Sequence, residues 1–221
     1  MLKGFRDLIS PRTCLFCGLG SEYLCSNCFS KNLLNPEITY LKNIPILSMS
    51  RYQDLVREII VRHKDHHFVA IRKYMSRSLA TGIQILKLSS TCQVISIPTT
   101  KNQITKRMDD PVKFMVSDAA KIAGLTFTDK VLTLKASKKD QVGLSFWQRE
   151  KNVRNVFNAV ARVKQVVLCD DVVTSGATLA AANRALAEAG VKVLANFCVA
   201  NTPKPCMNKG KSIAGRFNLW H

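Results

Sequence analysis

The stretch Val166-Val-Leu-Cys-Asp170-Asp171-Val-Val-Thr174-Ser175-Gly176-Ala177-Thr178-Leu179 decides how the rest of the chain is read. The apolar run from Gln165 to Cys169 predicts a short buried strand, and two adjacent carboxylates stand at its end. A loop of Thr, Ser and Gly then leads into a helical pattern from Gly176 to Ala189, stopped by Gly190. Each part has a chemical use. Gly176 lets the backbone approach a bound group closely, and the hydroxyls of Thr174, Ser175 and Thr178 donate to phosphate oxygens. The first turn of the helix adds unpaired N–H groups and the positive end of its dipole. Asp170 and Asp171 would repel a phosphate, so they suit a sugar diol, or Mg²⁺ through water. Phosphate on the loop and hydroxyls on the acids describe a sugar phosphate at the C-terminal edge of a parallel sheet. An ordinary capped strand–turn–helix accounts for the hydroxyls and the glycine, but not for two acids at the end of a buried strand. The stretch has neither the Gly-x-x-x-x-Gly-Lys of a P-loop nor the spaced glycines of a dinucleotide fold.

Outward from this point, strands and helices alternate. Gln93 to Ile97, Lys130 to Leu134 and Val191 to Val199 read as further strands. Asp110-Pro111 opens a helix that runs through Phe114, Met115, Ala119 and Ile122 to Gly124, with Asp as N-cap and Pro at the first helical position. Two helical patterns come earlier, one from Tyr52 through Leu55, Val56, Ile59 and Ile60, the other from Phe68 to Leu86. The alternation predicts an α/β fold, a mostly parallel sheet with helices on both faces. Residues 1–45 have little regular periodicity and are expected to form a small separate module, followed by a linker or a lone strand at Ile46 to Met49. Residues 46–221 are expected to be the main domain.

The module contains Cys14-Leu-Phe-Cys17 and Cys25-Ser-Asn-Cys28, two Cys-x-x-Cys pairs separated by seven residues. Two such knuckles complete a tetrahedral zinc site with Zn–S bonds of about 2.3 Å, and four thiolates leave no open position for catalysis. Two disulfides and an iron site are the alternatives. The other cysteines, Cys92, Cys169, Cys198 and Cys206, are scattered singly, which is unlike a secreted disulfide scaffold. The opening Met1-Leu-Lys-Gly-Phe-Arg-Asp-Leu has no long apolar core and predicts no secretory signal, so a reducing cytoplasm is the expected compartment. No run approaches the roughly 18 apolar residues of a membrane span.

Charge supplies the remaining clue. Over 221 residues, 33 Lys and Arg face 15 Asp and Glu, a formal net charge of +18. A polyanionic partner is expected, nucleic acid before a phosphate-rich ligand. In the module, Phe16, Tyr23 and Phe29 lie near Arg12 and Lys31, which suits either stacking on single-stranded nucleic acid or packing of a miniature core. His63, His66 and His67 are too loosely spaced for a metal site, and Arg57, Lys64, Arg72 and Lys73 are expected to form a basic surface around them.

The string from Val166 to Thr178 resembles the phosphoribosyl pyrophosphate (PRPP) motif of type I phosphoribosyltransferases. That resemblance implies a type I phosphoribosyltransferase-like sheet, with Asp170 and Asp171 on the ribose hydroxyls. Thr174, Ser175, Gly176, Ala177 and Thr178 would cradle the 5′-phosphate, and Mg²⁺ would accompany PRPP. Three further segments are similar to the ComF family of late-competence proteins: Pro11-Arg-x-Cys14-x-x-Cys17-Gly18, Leu144-Ser-x-x-x-Arg149-x-x-Asn152-Val153-x-x-x-Phe157 preceded by Gln141, and Ile97-Pro98 followed by basic residues. Where that family commonly has Arg-Gly-Phe-Asn, this chain has Arg107-Met-Asp-Asp-Pro111. The resemblance implies a cytoplasmic factor of DNA uptake and natural transformation that binds PRPP and single-stranded DNA, with a helicase-like competence ATPase as a protein partner. In catalysis Arg149 would close over the leaving pyrophosphate, with Lys101, Lys106 and Arg107 as further candidates. A phosphoribosyltransferase acting on a small acceptor and a zinc-dependent scaffold stand as the alternative functions.

Overall fold

In the computed structural model, which describes residues 13–20, 22–65, 68–100, 104–105, 109–135 and 156–202, the stretch from Gln165 forms the central strand of a six-stranded sheet. In chain order the elements are α1 (Ser26–Leu33), β1 (Glu37–Leu41), β2 (Ile44–Ser48), α2 (Asp54–Asp65), a 3-10 turn (Val69–Ile71), α3 (Arg72–Ile85), β3 (Gln93–Ser96) and α4 (Pro111–Ala123). There follow β4 (Thr126–Phe127), β5 (Leu132–Leu134), β6 (Phe157–Ala159), β7 (Gln165–Val173), α5 (Ala177–Glu188) and β8 (Lys192–Asn201). The sheet order is β1-β2-β8-β7-β3-β4. Every pairing is parallel except the β1–β2 hairpin. This is the α/β phosphoribosyltransferase-like sheet expected from the sequence, with an N-terminal four-cysteine cluster.

Alternation along β7 sends Val167 and Cys169 to one face and Val166 and Leu168 to the other, giving two cores. The first joins Leu47, Met49 and Phe197 of the sheet region to Ile59 and Ile60 of α2, Met75 and Leu79 of α3, and Met115 and Val116 of α4. Gly82 allows α3 to lie close to the sheet, since a Cβ there would stand 2.6 Å from Met49 Sδ. The second core packs Leu179 and Leu186 of α5 against Ile46, Ile95 and Leu168. Asn183 Nδ2 donates to Leu179 O at 2.8 Å and to Asn196 Oδ1 at 3.0 Å, which fixes α5 over β8.

Several elements depart from the sequence reading. Residues 26–33 form a helix despite their many Ser, Asn and Cys residues, because Cys28, Phe29 and Leu33 are buried on one side of it. The lone strand expected at Ile46 to Met49 is β2, paired to β1 on one side and to β8 on the other. The boundary expected after residue 45 therefore falls inside a hairpin. Leu132–Leu134 does not join the parallel sheet. It pairs antiparallel with β6, a strand whose three residues carry no period-two signal. Strand β7 also runs past the acids to Val173, because β8 continues beside it as far as the pairing of Val173 with Asn201.

Candidate functional site

Strand β3 feeds α4 and β4 on one side, while β7 feeds α5 and β8 on the other. The order therefore reverses between β3 and β7, and open α/β sheets bind ligands at the carboxyl ends of strands at such a point. The pairing of β3 to β7 ends at Ser96 opposite Cys169, followed by one bond from Ile97 N to Cys169 O at 2.9 Å. From Asp170 onward β7 keeps β8 as its partner and leaves β3, so the acids mark the start of a crevice. Across it, Thr99 Oγ1 donates to Asp110 Oδ1 at 2.9 Å, and Lys113 N donates to the same oxygen at 3.1 Å, which makes Asp110 the expected cap of α4.

Asp170, Val173, Thr174, Ser175, Gly176, Thr178 and Leu179 line a shallow depression. Gly176 caps α5 with φ 74° and ψ 0°, a left-handed conformation that costs a side chain roughly 1–2 kcal/mol. The turn exposes Thr174, Ser175, Ala177 and Thr178. Ser175 Oγ accepts from Ala177 N at 3.3 Å, so this hydroxyl occupies the helix N-terminus when no anion does. Asp170 Oδ1 accepts from Asp171 N at 2.9 Å. Burial pushes the Asp170 carboxyl up to about 7, with the Lys64 ammonium pulling the other way.

Asp171 is only 3% exposed and does not line the depression. Its Oδ1 accepts from Val172 N at 2.6 Å, and its Oδ2 is ion-paired with Lys64 Nζ from the last turn of α2. Lys64 is thus no part of an open basic surface, because its charge is turned inward onto β7. Sequence spacing could not reveal this contact, which joins residues more than a hundred positions apart. Its neighbour His63 is 5% exposed, and burial first, then Arg72 and Lys64, depress it to about 4. A histidine depressed in the fold takes up a proton on unfolding below its ordinary value near 6.5. Its contribution is therefore complete above pH 6.5 and lost as pH falls toward 4, by up to about 3 kcal/mol. Urea midpoints between pH 7 and 4.5 should fall more steeply in the native chain than in His63→Asn. Parallel profiles would contradict this. Arg149, Lys101, Lys106 and Arg107 lie outside the described residues.

The four cysteines Cys14, Cys17, Cys25 and Cys28 come together, with their sulfurs within 4.8 Å of one another. Cys17 Sγ and Cys25 Sγ are 3.8 Å apart, the edge of a tetrahedron whose metal–sulfur bonds are about 2.3 Å. Cys25 N donates to Cys14 Sγ at 3.4 Å. Burial works to raise the Cys14 thiol, but N–H groups of Cys25, Cys17 and Phe16 and the Cys17 side chain bring it down to about 6. Burial and the three neighbouring thiols push Cys28 up to about 12. This donor set fits a metal such as zinc. Its aromatic neighbours face inward: Tyr23 meets Phe68 edge-on at 4.8 Å, and Phe29 is buried beside Tyr74. They serve the core rather than a stacking platform.

Comparison with known proteins bears on the sheet. Residues 122–214 match the family model of the phosphoribosyl transferase domain. The match takes in the acids, the loop and α5, and leaves the cysteine cluster and α2 outside. The solved structures similar to this chain include adenine phosphoribosyl transferase from Trypanosoma brucei in complex with AMP, pyrophosphate and ribose-5-phosphate. It is 10% identical, with 75% of this chain and 90% of that chain covered and a TM-score of 0.36. No curated protein matches. Among the described residues, no helix is long and apolar enough to cross a membrane.

Proposed function

We propose that the chain binds PRPP at the end of β7 and single-stranded DNA on its basic surface, as a factor of DNA uptake. The observation that carries the PRPP half is the exposed 174–178 turn beside Asp170, at the carboxyl edge where the sheet order reverses. In this reading the 5′-phosphate sits on Thr174 to Thr178, the ribose hydroxyls meet the Asp170 carboxylate with Asp171 enclosed behind it, and Mg²⁺ arrives with the pyrophosphate. Zinc held by Cys14, Cys17, Cys25 and Cys28 fixes the N-terminal fold. The metal-held segment supports the fold, and ligand binding falls to the sheet it packs against. A helicase-like competence ATPase enters as partner through the family resemblance alone.

The DNA half rests on the net charge of +18, most of which the ligand site does not use. Affinity for single-stranded DNA is expected to fall with log salt, at a slope of about −0.7 per phosphate neutralised. Fluorescence anisotropy between low and physiological salt measures this, and a flat response would remove nucleic acid from the proposal. For the PRPP half, calorimetric titration with PRPP and Mg²⁺ is the direct test. A second reading, turnover with an acceptor, takes its support from the parting of β3 and β7 at Asp170. Pyrophosphate release in the presence of cell extract would establish it.

A further inference from the structure

Lys64 lies outside the matched span, and its residue type and sequence position mark it only as one more surface cation. The fold gives it another place. Its side chain is 25% exposed, and its ammonium is ion-paired with a carboxylate whose side chain is 4% exposed, near the end of the strand that carries the sugar-phosphate motif. Helix α2 brings it there because Val56, Ile59, Ile60 and His63 are buried along that helix. Beyond the helix, Phe68 N donates to Arg62 O at 3.2 Å, and the Phe68 ring packs on Tyr23. A buried ion pair is weak evidence for stability, since apolar replacements often serve a fold as well or better. A charge pair of this kind beside a ligand crevice therefore asks for a reason in binding.

We infer that Lys64 is a positioning residue of the sugar-phosphate site, holding Asp171 ionised and fixed behind the turn so that Asp170, which lines the depression, can accept sugar hydroxyls without two full negative charges facing an anionic ligand. This rests on the PRPP reading above. Two adjacent bare carboxylates would repel a sugar carrying a phosphate and a pyrophosphate, and one paired ammonium cancels half of that repulsion. Without Lys64, Asp171 is an enclosed acid with no counter-charge, and burial then favours its neutral form. A protonated Asp171 accepts more weakly from Val172 N, so the turn beside Asp170 loses one of its anchors.

The test is calorimetric titration of PRPP with Mg²⁺ against native protein, Lys64→Met, Lys64→Gln and Lys64→Arg, at pH 6, 7.5 and 9. Lys64→Met is expected to bind at least tenfold more weakly at pH 7.5, to lose more at pH 6, and to recover part of the loss at pH 9. Lys64→Arg should come within about threefold of native. The charged neighbours are Lys64, Asp170 on the same strand, and Arg72 of α3 beside His63, which stays neutral over this range. Asp170 titrates near pH 7 in the native chain as well, so the signal is the difference between variant and native profiles. Native-like binding by Lys64→Met overturns this inference and leaves the PRPP reading standing. A uniform loss at every pH with no rescue by arginine means a merely structural lysine and overturns it too. If Lys64→Met does not fold, Lys64→Gln is read in its place: a loss that deepens at pH 6 supports the inference, and native-like or pH-independent binding overturns it. Absence of PRPP binding by the native chain overturns the PRPP reading, and this inference with it.

Discussion

Asp170→Asn combined with Asp171→Asn is expected to lower PRPP affinity by about 10²–10⁴-fold. Hydrogen bonds to charged groups contribute roughly 1.5–3 kcal/mol each, and two are lost together. The effect should be specific to the sugar. In the proposed function single-stranded DNA is held by cations elsewhere on the surface, so its affinity should change by less than about twofold. The two substitutions have opposite effects on the empty protein. Burial raises Asp170 to about 7, so its ionised form is unfavourable in the fold. That penalty is full above pH 7 and vanishes below about 4, so asparagine at 170 should stabilise the chain at alkaline pH. Asparagine at 171 removes the partner of Lys64 and costs stability. Thermal melting beside the titrations keeps folding and binding separate. If PRPP and DNA affinity collapse together in a folded double variant, the two ligands share one site.

The second large effect concerns the metal. Cys14→Ser is expected to release zinc and to lower the melting temperature of the entire described fold, not of the N-terminal residues alone. Cys14, Leu24, Cys28, Phe29 and Leu33 belong to the same core as Ile59, Tyr74, Met75 and Phe197. Tyr74 Oη donates to Glu22 Oε2 at 3.0 Å, and Arg77 stacks over Phe29, so α3 leans directly on the cysteine segment. Structural zinc supplies about 10–16 kcal/mol of folding free energy in small zinc peptides. A third of that, ~4 kcal/mol, corresponds to a fall of about 8–16 °C for a chain of this size. Metal content by atomic emission and a melting curve on the same sample check both halves. Stoichiometric metal in Cys14→Ser would rule out the four-thiolate assignment.

Much of this was legible before any coordinates. Asp110-Pro111 announced α4 because capping is local chemistry, and the structure has that cap bond to Lys113 N. The run from Val166 to Leu179 announced strand, turn and helix because its apolar period and its glycine are local as well. Contacts between distant segments were not legible. β6 owes its existence to Leu132–Leu134, and α1 forms from weak helix formers because its buried side has α3 to rest on. Lys64 shows the limit most clearly. One lysine among 33 Lys and Arg carries no mark of its partner, and only the path of α2 across the sheet brings it to Asp171.

The β1–β2 hairpin has a practical consequence for anyone who would isolate the ligand-binding part of the molecule. Glu37–Leu41 covers the outer side of β2 with a full register of pairs, from Glu37 with Ser48 to Leu41 with Ile44. A fragment begun at residue 46 would shorten β2 and strip that cover. It would present a row of unpaired N–H and C=O groups to any passing chain, which is a template for aggregation. Leu41 would also be lost from beside the 174–178 turn, where its Cδ1 stands 3.7 Å from the place a Cβ on Gly176 would occupy. Excision is therefore better begun ahead of Glu37, with the hairpin kept whole.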